Sequence, residues 1–175
     1  DSDEAALHAL GLESENLVAV VERFCAAPRQ SMAAHALHAI LGLEIVLLAR
    51  GAPLALVDLA RKAMAASEPF EVDADDRARG WETLGTALLA TGELAESRAA
   101  FERAHALATP GAPLARARER LASVLWAEGR GEEALARATE ALDLVQGHPA
   151  LCGQCSSTRG VILHTRDRFA EAREC

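Results

Sequence analysis

The stretch WETLGTALLATGELAESRAAFERAHALATP, Trp81–Pro110, decides the fold. Apolar residues Trp81, Leu84 and Leu88, then Leu94, Phe101 and Leu107, recur at helical spacing in two runs. Gly92 separates the runs, and Glu93 opens the second with the negative charge that a helix N-terminus favours. Two helices joined so tightly fold back as an antiparallel hairpin. Gly85 lies inside the first helix, where glycine costs roughly 1 kcal/mol against alanine. A close helix–helix contact accounts for that cost. Ala104 on the second run is likewise small, and the two are expected to touch.

One hairpin cannot bury its apolar face alone, so neighbouring copies are expected. Gly129 follows Gly92 by 37 residues, flanked by Leu121-Ala122, Leu125, Ala134, Ala141 and Leu142 in corresponding places. A further 38 residues on, Asp167 takes the turn position, among Gly160, Leu163, Phe169 and Ala172, with Arg159 where a leucine is wanted. Upstream, Gly51 lies 41 residues before Gly92, with Leu47, Leu48, Leu56, Ala60 and Ala63 around it and Pro69 as terminator. This first copy is degenerate.

Trp81, Leu84-Gly85, Leu88, Phe101, Ala104 and Pro110 together resemble a tetratricopeptide repeat (TPR). The stretch departs from that pattern at Ser97, where alanine is usual, at Leu88, where tyrosine is common, and by one residue at the proline. The resemblance implies an all-α, right-handed superhelix of antiparallel helix pairs. The units fall at about 31–69, 74–110, 113–147 and, truncated, 149–175, with the helices of 1–30 packing on the array. A second resemblance covers LGLESENLVAVVERF, residues 10–24. It is similar to the segment that links the ATPase core to helical repeats in some large bacterial signal-transduction ATPases and regulators.

Composition agrees with close-packed helices. Half the residues are hydrophobic yet only 3% are aromatic, so alanine and leucine dominate the core, which poorly suits a β-sandwich. Lys62 is the one lysine among many arginines, a GC-rich bacterial signature. A net charge of −8 argues against nucleic-acid binding, which needs a basic surface. No run of about 18 apolar residues marks a membrane span. Four cysteines without framework spacing suit a reducing, cytoplasmic setting. A start at Asp1 and a stop at Cys175 within an expected helix read as an excised fragment.

In chain order, a short helix over 3–10 closed by Gly11 precedes one over about 13–27, with Leu17, Val20, Val21 and Phe24 on one face and Pro28 at its end. Ser31 is the expected N-cap of a helix to Arg50. Further helices are expected to end near 66, 91, 108, 128, 146 and 165.

No G-x-S-x-G elbow, phosphate-cradling loop or H-E-x-x-H pair occurs, so no enzyme activity and no cofactor is expected. His148, Cys152, Cys155 and His164 could form a zinc site, a redox C-x-x-C at a helix N-terminus, or simple helix packing. The helix would carry His164 two to three turns from the thiols, beyond one ion's reach, which favours packing; no metal is expected. His35 and His38 lie one turn apart and suit core or groove packing better than a metal. His105 is expected at the surface, and the pairs Asp75-Asp76 and Glu132-Glu133 at helix starts, stabilising the dipole.

The resemblance places binding on the concave face lined by the first helix of each pair. Carried over, it names His38, Leu41, Ile45 and Leu48, although the last three are expected to pack on the 13–27 helix instead. It then names Arg79, Glu82, Thr86 and Leu89; Arg116, Glu119, Ser123 and Trp126; and Ser157, Val161 and His164. No Lys/Asn/Arg clamp for a C-terminal carboxylate is present, and the Leu, Ile and Trp suit an apolar helix or extended segment. The expectation is a protein-interaction or sensor segment of a larger bacterial signalling protein, its partner a protein or peptide segment of the same polypeptide or of another. The alternatives are a non-catalytic helical lid on an ATPase or kinase, and a metal- or redox-responsive switch through Cys152 and Cys155.

Overall fold

The computed structural model describes residues 2–145 and 147–173, with side chains described from residue 13 onward. Among the described residues the chain is helical, without strands: α1 (Ser2–Ala26), α2 (Gln30–Ala49), α3 (Pro53–Ser67), α4 (Ala74–Thr91), α5 (Leu94–Leu107), α6 (Ala112–Ala127), α7 (Gly131–Leu142), α8 (Pro149–His164) and α9 (Phe169–Ala172).

One turn, used four times, makes the hairpins. Gly51, Gly92, Gly129 and Asp167 all have positive φ, from 60° to 83°. In each case the left-handed residue's N–H bonds the carbonyl three residues back, and the next N–H bonds the carbonyl five residues before itself. Gly92 thus bonds Leu89 and Glu93 bonds Leu88; Asp167 bonds His164 and Arg168 bonds Leu163. This pair satisfies the last orphan carbonyls of the first helix and reverses the chain. The degenerate first copy and the short fourth one share it, so the spacing read from sequence is a spacing of real turns.

Four pairs result, α2/α3, α4/α5, α6/α7 and α8/α9, with α1 laid along α2 and α3. The first helices stand side by side in the order α2, α4, α6, α8. Small residues set how closely a pair approaches. A Cβ built on Gly85 would lie 2.5 Å from a ring carbon of Phe101, and all three nearest atoms belong to that ring. The residue that meets Gly85 is therefore Phe101; Ala104 is fully buried one turn further along α5. One unit later the residues exchange sizes: Ala122 takes the place of Gly85 and Ala138 that of Phe101, and they share a buried cluster with Leu125, Ala134 and Ile162. Ser97, standing where alanine is usual, is fully buried and donates its hydroxyl to the Gly85 carbonyl at 2.7 Å.

Several boundaries differ from the sequence reading. Gly11 does not divide the first helix, because one interior glycine costs only about 1 kcal/mol and no proline accompanies it. Ser31 is not a cap: α2 starts at Gln30 behind an extended Arg29 that makes no side-chain cap bond. Ala27 and Pro28 already break the chain there. α7 closes at Leu142, before the expected 146, as Asp143 and Leu144 form a turn. α2, with a mean hydropathy of 1.8, is long and apolar enough to cross a membrane, the one such helix among the described residues. Here Leu37, Ile40, Leu43 and Val46 are buried in the core that α1, α3 and α4 complete, which explains that composition.

Gly85→Leu should cost on the order of 1–3 kcal/mol by forcing Phe101 out of its seat. In thermal melts that is a drop of roughly 2–4 °C per kcal/mol. Adding Phe101→Ala, which copies the Ala138 arrangement, should make the glycine substitution nearly neutral within the double mutant. Equal losses in both backgrounds would dissociate Gly85 from the ring.

Candidate functional site

The neighbouring first helices α4, α6 and α8 form the wall on which the eleven expected contact residues lie. Five of them, Leu89, Ser123, Trp126, Ser157 and Val161, come together around one cleft of about 380 Å³, completed by Ala127, Thr158 and Ile162. Trp126 is 41% exposed and Val161 45%. The Trp126 indole N–H donates to the Thr165 hydroxyl at 3.1 Å, which holds the ring at the rim and leaves an apolar face open. Arg79 and His164 are exposed on the same wall, and the Thr86 hydroxyl turns back to the Glu82 carbonyl.

Glu82 and Glu119 do not stand open in the groove. They are 6% and 2% exposed and serve the joints between units. Arg116 on α6 donates from Nε to Glu82 Oε2 on α4 at 2.6 Å, and its Nη2 lies 3.9 Å from Asp75. Burial pushes the Glu82 carboxyl above its ordinary 4.5, against the pull of Arg116, Arg120 and Arg79. Glu119 accepts from Thr158 at 2.7 Å, Ser123 at 3.2 Å and Gln154 at 3.2 Å. Arg120 stands 3.9 Å from both Glu119 and Glu44, and Glu44 accepts the Thr83 hydroxyl at 2.5 Å. Glu44, Arg120, Gln154 and Thr158 are groove residues that sequence reasoning missed. For Gln154 a signal was present, since it follows Arg116 by one repeat of 38 residues.

The remaining candidates resolve individually. His38 Nε2 is 2.8 Å from Asp76 Oδ1, while His35 bonds the Ser31 carbonyl on its own helix, so the two imidazoles do not converge. Ile45 is exposed on the groove side of α2, whereas Leu48 packs into the core. His105, expected at the surface, is half-buried, with its Nε2 unpartnered; burial lowers its pKa, aided by Arg118 and Arg137. Asp76 pairs with His38 besides starting a helix, and Glu132 and Glu133 pair with Arg166 and Arg130. Cys152 is exposed and Cys155 fully buried beside Ala115, Ala141 and Val145. Burial first, then the Glu119 charge, push the Cys155 thiol up to about 11, the opposite of what a thiolate nucleophile or zinc ligand needs.

A larger cleft of about 970 Å³ lies over α8 and α9, lined by Cys152, Gly153, Ser156, Gly160, Val161 and Phe169 among others. It is the side of α8 corresponding to what fourteen residues of α5 cover on α4; α9 offers four. Its size reflects that short cover.

No protein-family pattern matches the chain, and no curated protein is similar to it in sequence. Solved structures match in fold. BtubC (BKLC) from P. vanneervenii superposes with a TM-score of 0.74 over 97% of this chain and 71% of its own, at 18% identity. A variant of a Podosopora anserina kinesin light chain with nearly identical TPR-like repeats gives 0.67 over 99% and 91%, at 18% identity. YrrB, a TPR protein with an unusual peptide-binding site, gives 0.56 over 96% and 79%, at 21% identity. The fold is thus an all-α, TPR-like right-handed superhelix of antiparallel pairs.

Two outcomes follow from the site's chemistry. A carboxyl whose pKa is raised on folding stabilises the folded state below its unfolded value and loses that contribution as pH rises through the folded value. Wild type should therefore gain stability relative to Glu82→Gln as pH falls from neutrality towards 4.5, read by urea unfolding at each pH. A constant gap would mean that Arg116 fully offsets the burial. Brief alkylation at neutral pH followed by peptide mapping should label Cys152 and spare Cys155 until the chain is unfolded.

Proposed function

We propose that this chain is the protein-interaction segment of a larger bacterial signalling protein and holds a partner's peptide segment in the groove of α4, α6 and α8. The observation that carries the reading is the open apolar cleft between Leu89, Trp126 and Val161. An isolated exposed tryptophan is unremarkable, but this one faces an exposed valine across a cleft between units, with its N–H already bonded. Such a ring is a preformed anchor for an apolar side chain. The likeness to YrrB, whose peptide-binding site is part of its description, supports a peptide as ligand. The arginine-rich, lysine-poor composition supports the bacterial origin. Free thiols at Cys25, Cys152 and Cys155 suit the cytoplasm. The segment bound can belong to the same polypeptide or to another.

Trp126→Ala tests the anchor. Partner binding, measured by calorimetry with a peptide selected on the wild-type chain, should weaken by about 2 kcal/mol or more. Folding stability should change far less than the roughly 3–5 kcal/mol that a core tryptophan costs. A large stability loss, or unchanged binding, removes Trp126 from the site.

A further inference from the structure

The two buried glutamates occupy equivalent places in successive units but are not equivalently partnered. Glu82 and Glu119 are 37 residues apart, and each receives a side chain from the first helix of the next unit. For Glu82 that side chain is Arg116, a cation; for Glu119 it is Gln154, one repeat later, a neutral amide. Glu119 is the more deeply buried of the two. Its nearest guanidinium, Arg120, is 3.9 Å away and shared with Glu44. Among the described residues α8 carries one arginine, Arg159, and it forms no ion pair with Glu119. Across this wall four carboxylates, Glu44, Asp75, Glu82 and Glu119, share two guanidiniums, Arg116 and Arg120, with Arg79 exposed beside them.

Glu119 also adjoins the apolar cleft. Two residues of the cleft wall, Ser123 and Thr158, are its hydroxyl donors, so the carboxylate lies directly behind that wall. Gln154, which donates to its other oxygen, is exposed. Exchanging the amide for a cationic donor adds a charge–charge attraction to a hydrogen bond in which only the acceptor carries charge.

We propose that the groove's ligand is a peptide that carries a lysine or arginine beside the apolar residue seated against Trp126, and that Glu119 receives this cation in the place Arg116 takes at Glu82. This rests on the groove reading above and adds the ligand's charge to it. The arrangement selects against acidic segments, since a carboxylate brought beside Glu119 meets a like charge in a poorly hydrated place.

The test is selection of random dodecapeptides displayed on phage, with the wild-type chain and its Gln154→Arg variant as parallel baits. Wild type should enrich peptides with Lys or Arg next to a large apolar residue. Gln154→Arg, which supplies the missing cation internally, should lose that enrichment and melt no lower than wild type. In fluorescence anisotropy, one selected peptide should bind about tenfold more weakly to Gln154→Arg and to Glu119→Gln, and about tenfold more weakly once its basic residue is norleucine. Selected peptides that lack a basic residue, or affinities unchanged in Gln154→Arg, overturn the proposal. If Trp126→Ala abolishes binding while both charge variants leave it intact, the groove reading stands and this inference falls. If Trp126→Ala has no effect or no peptide is selected, both fall.

Discussion

Every level of this structure depends on a residue held in the left-handed conformation at the end of a helix. Gly51, Gly92, Gly129 and Asp167 each end a first helix and return the chain along it, with the same two backbone hydrogen bonds. Because the bonds are the same, the reversal is the same, and successive pairs arrive in the same orientation. That repetition lines α2, α4, α6 and α8 up as one wall. Asp167 adopts the conformation without being glycine, which asparagine and aspartate tolerate better than other residues. Phe101 then joins two units at once: its ring fills the space that Gly85 leaves on α4 and packs on Leu121 and Val124 of α6.

These features are legible in the sequence because they are local or periodic. A turn glycine and the apolar stripe before it lie within one repeat, whereas the partner of Gly85 is misread as Ala104 and is Phe101. The all-α architecture and most helix ends are therefore read correctly from the residues alone. The polar joints between units are a different matter. His38–Asp76, Glu44–Thr83, Glu82–Arg116 and Glu119–Gln154 join residues 34 to 39 apart. Nothing near either partner announces the other. Each glutamate read alone looks like a solvated groove residue, and only the repeat offset, applied to both partners together, turns it into a buried acceptor. Ser97 misleads for another reason, since its partner lies in the same helix pair. As a departure from the repeat pattern it looks like weakness, while in the fold it bonds the carbonyl of the crowded Gly85.

Burying carboxylates between units is a weak route to stability, because desolvation opposes the attraction of the pair. The raised pKa of Glu82, despite Arg116 at 2.6 Å, states that balance directly. What such joints fix is register. A slip of α6 against α4 would leave Glu82 buried without Arg116, a penalty of several kcal/mol by the usual cost of an unpaired buried charge. Apolar contacts between alanine-rich helices discriminate poorly among registers, since one alanine fits another's place. The carboxylate–guanidinium joints supply the discrimination that the small-residue core lacks.

The wall consequently changes character along its length, and the proposed site lies where it changes. Between α2, α4 and α6 the carboxylates and guanidiniums face one another across the joints between units. Between α6 and α8 the arginine is replaced by Gln154, the apolar cleft opens beside it, and Trp126 and Val161 are exposed. A joint that must fix register uses its charges internally, and so has little left for a guest. A joint that has lost its internal cation holds less firmly, yet presents an anchor and a charge to whatever fills it. Fixing the array and admitting a guest are thus competing demands on the same repeat position, and the two kinds of joint lie at different places along this wall.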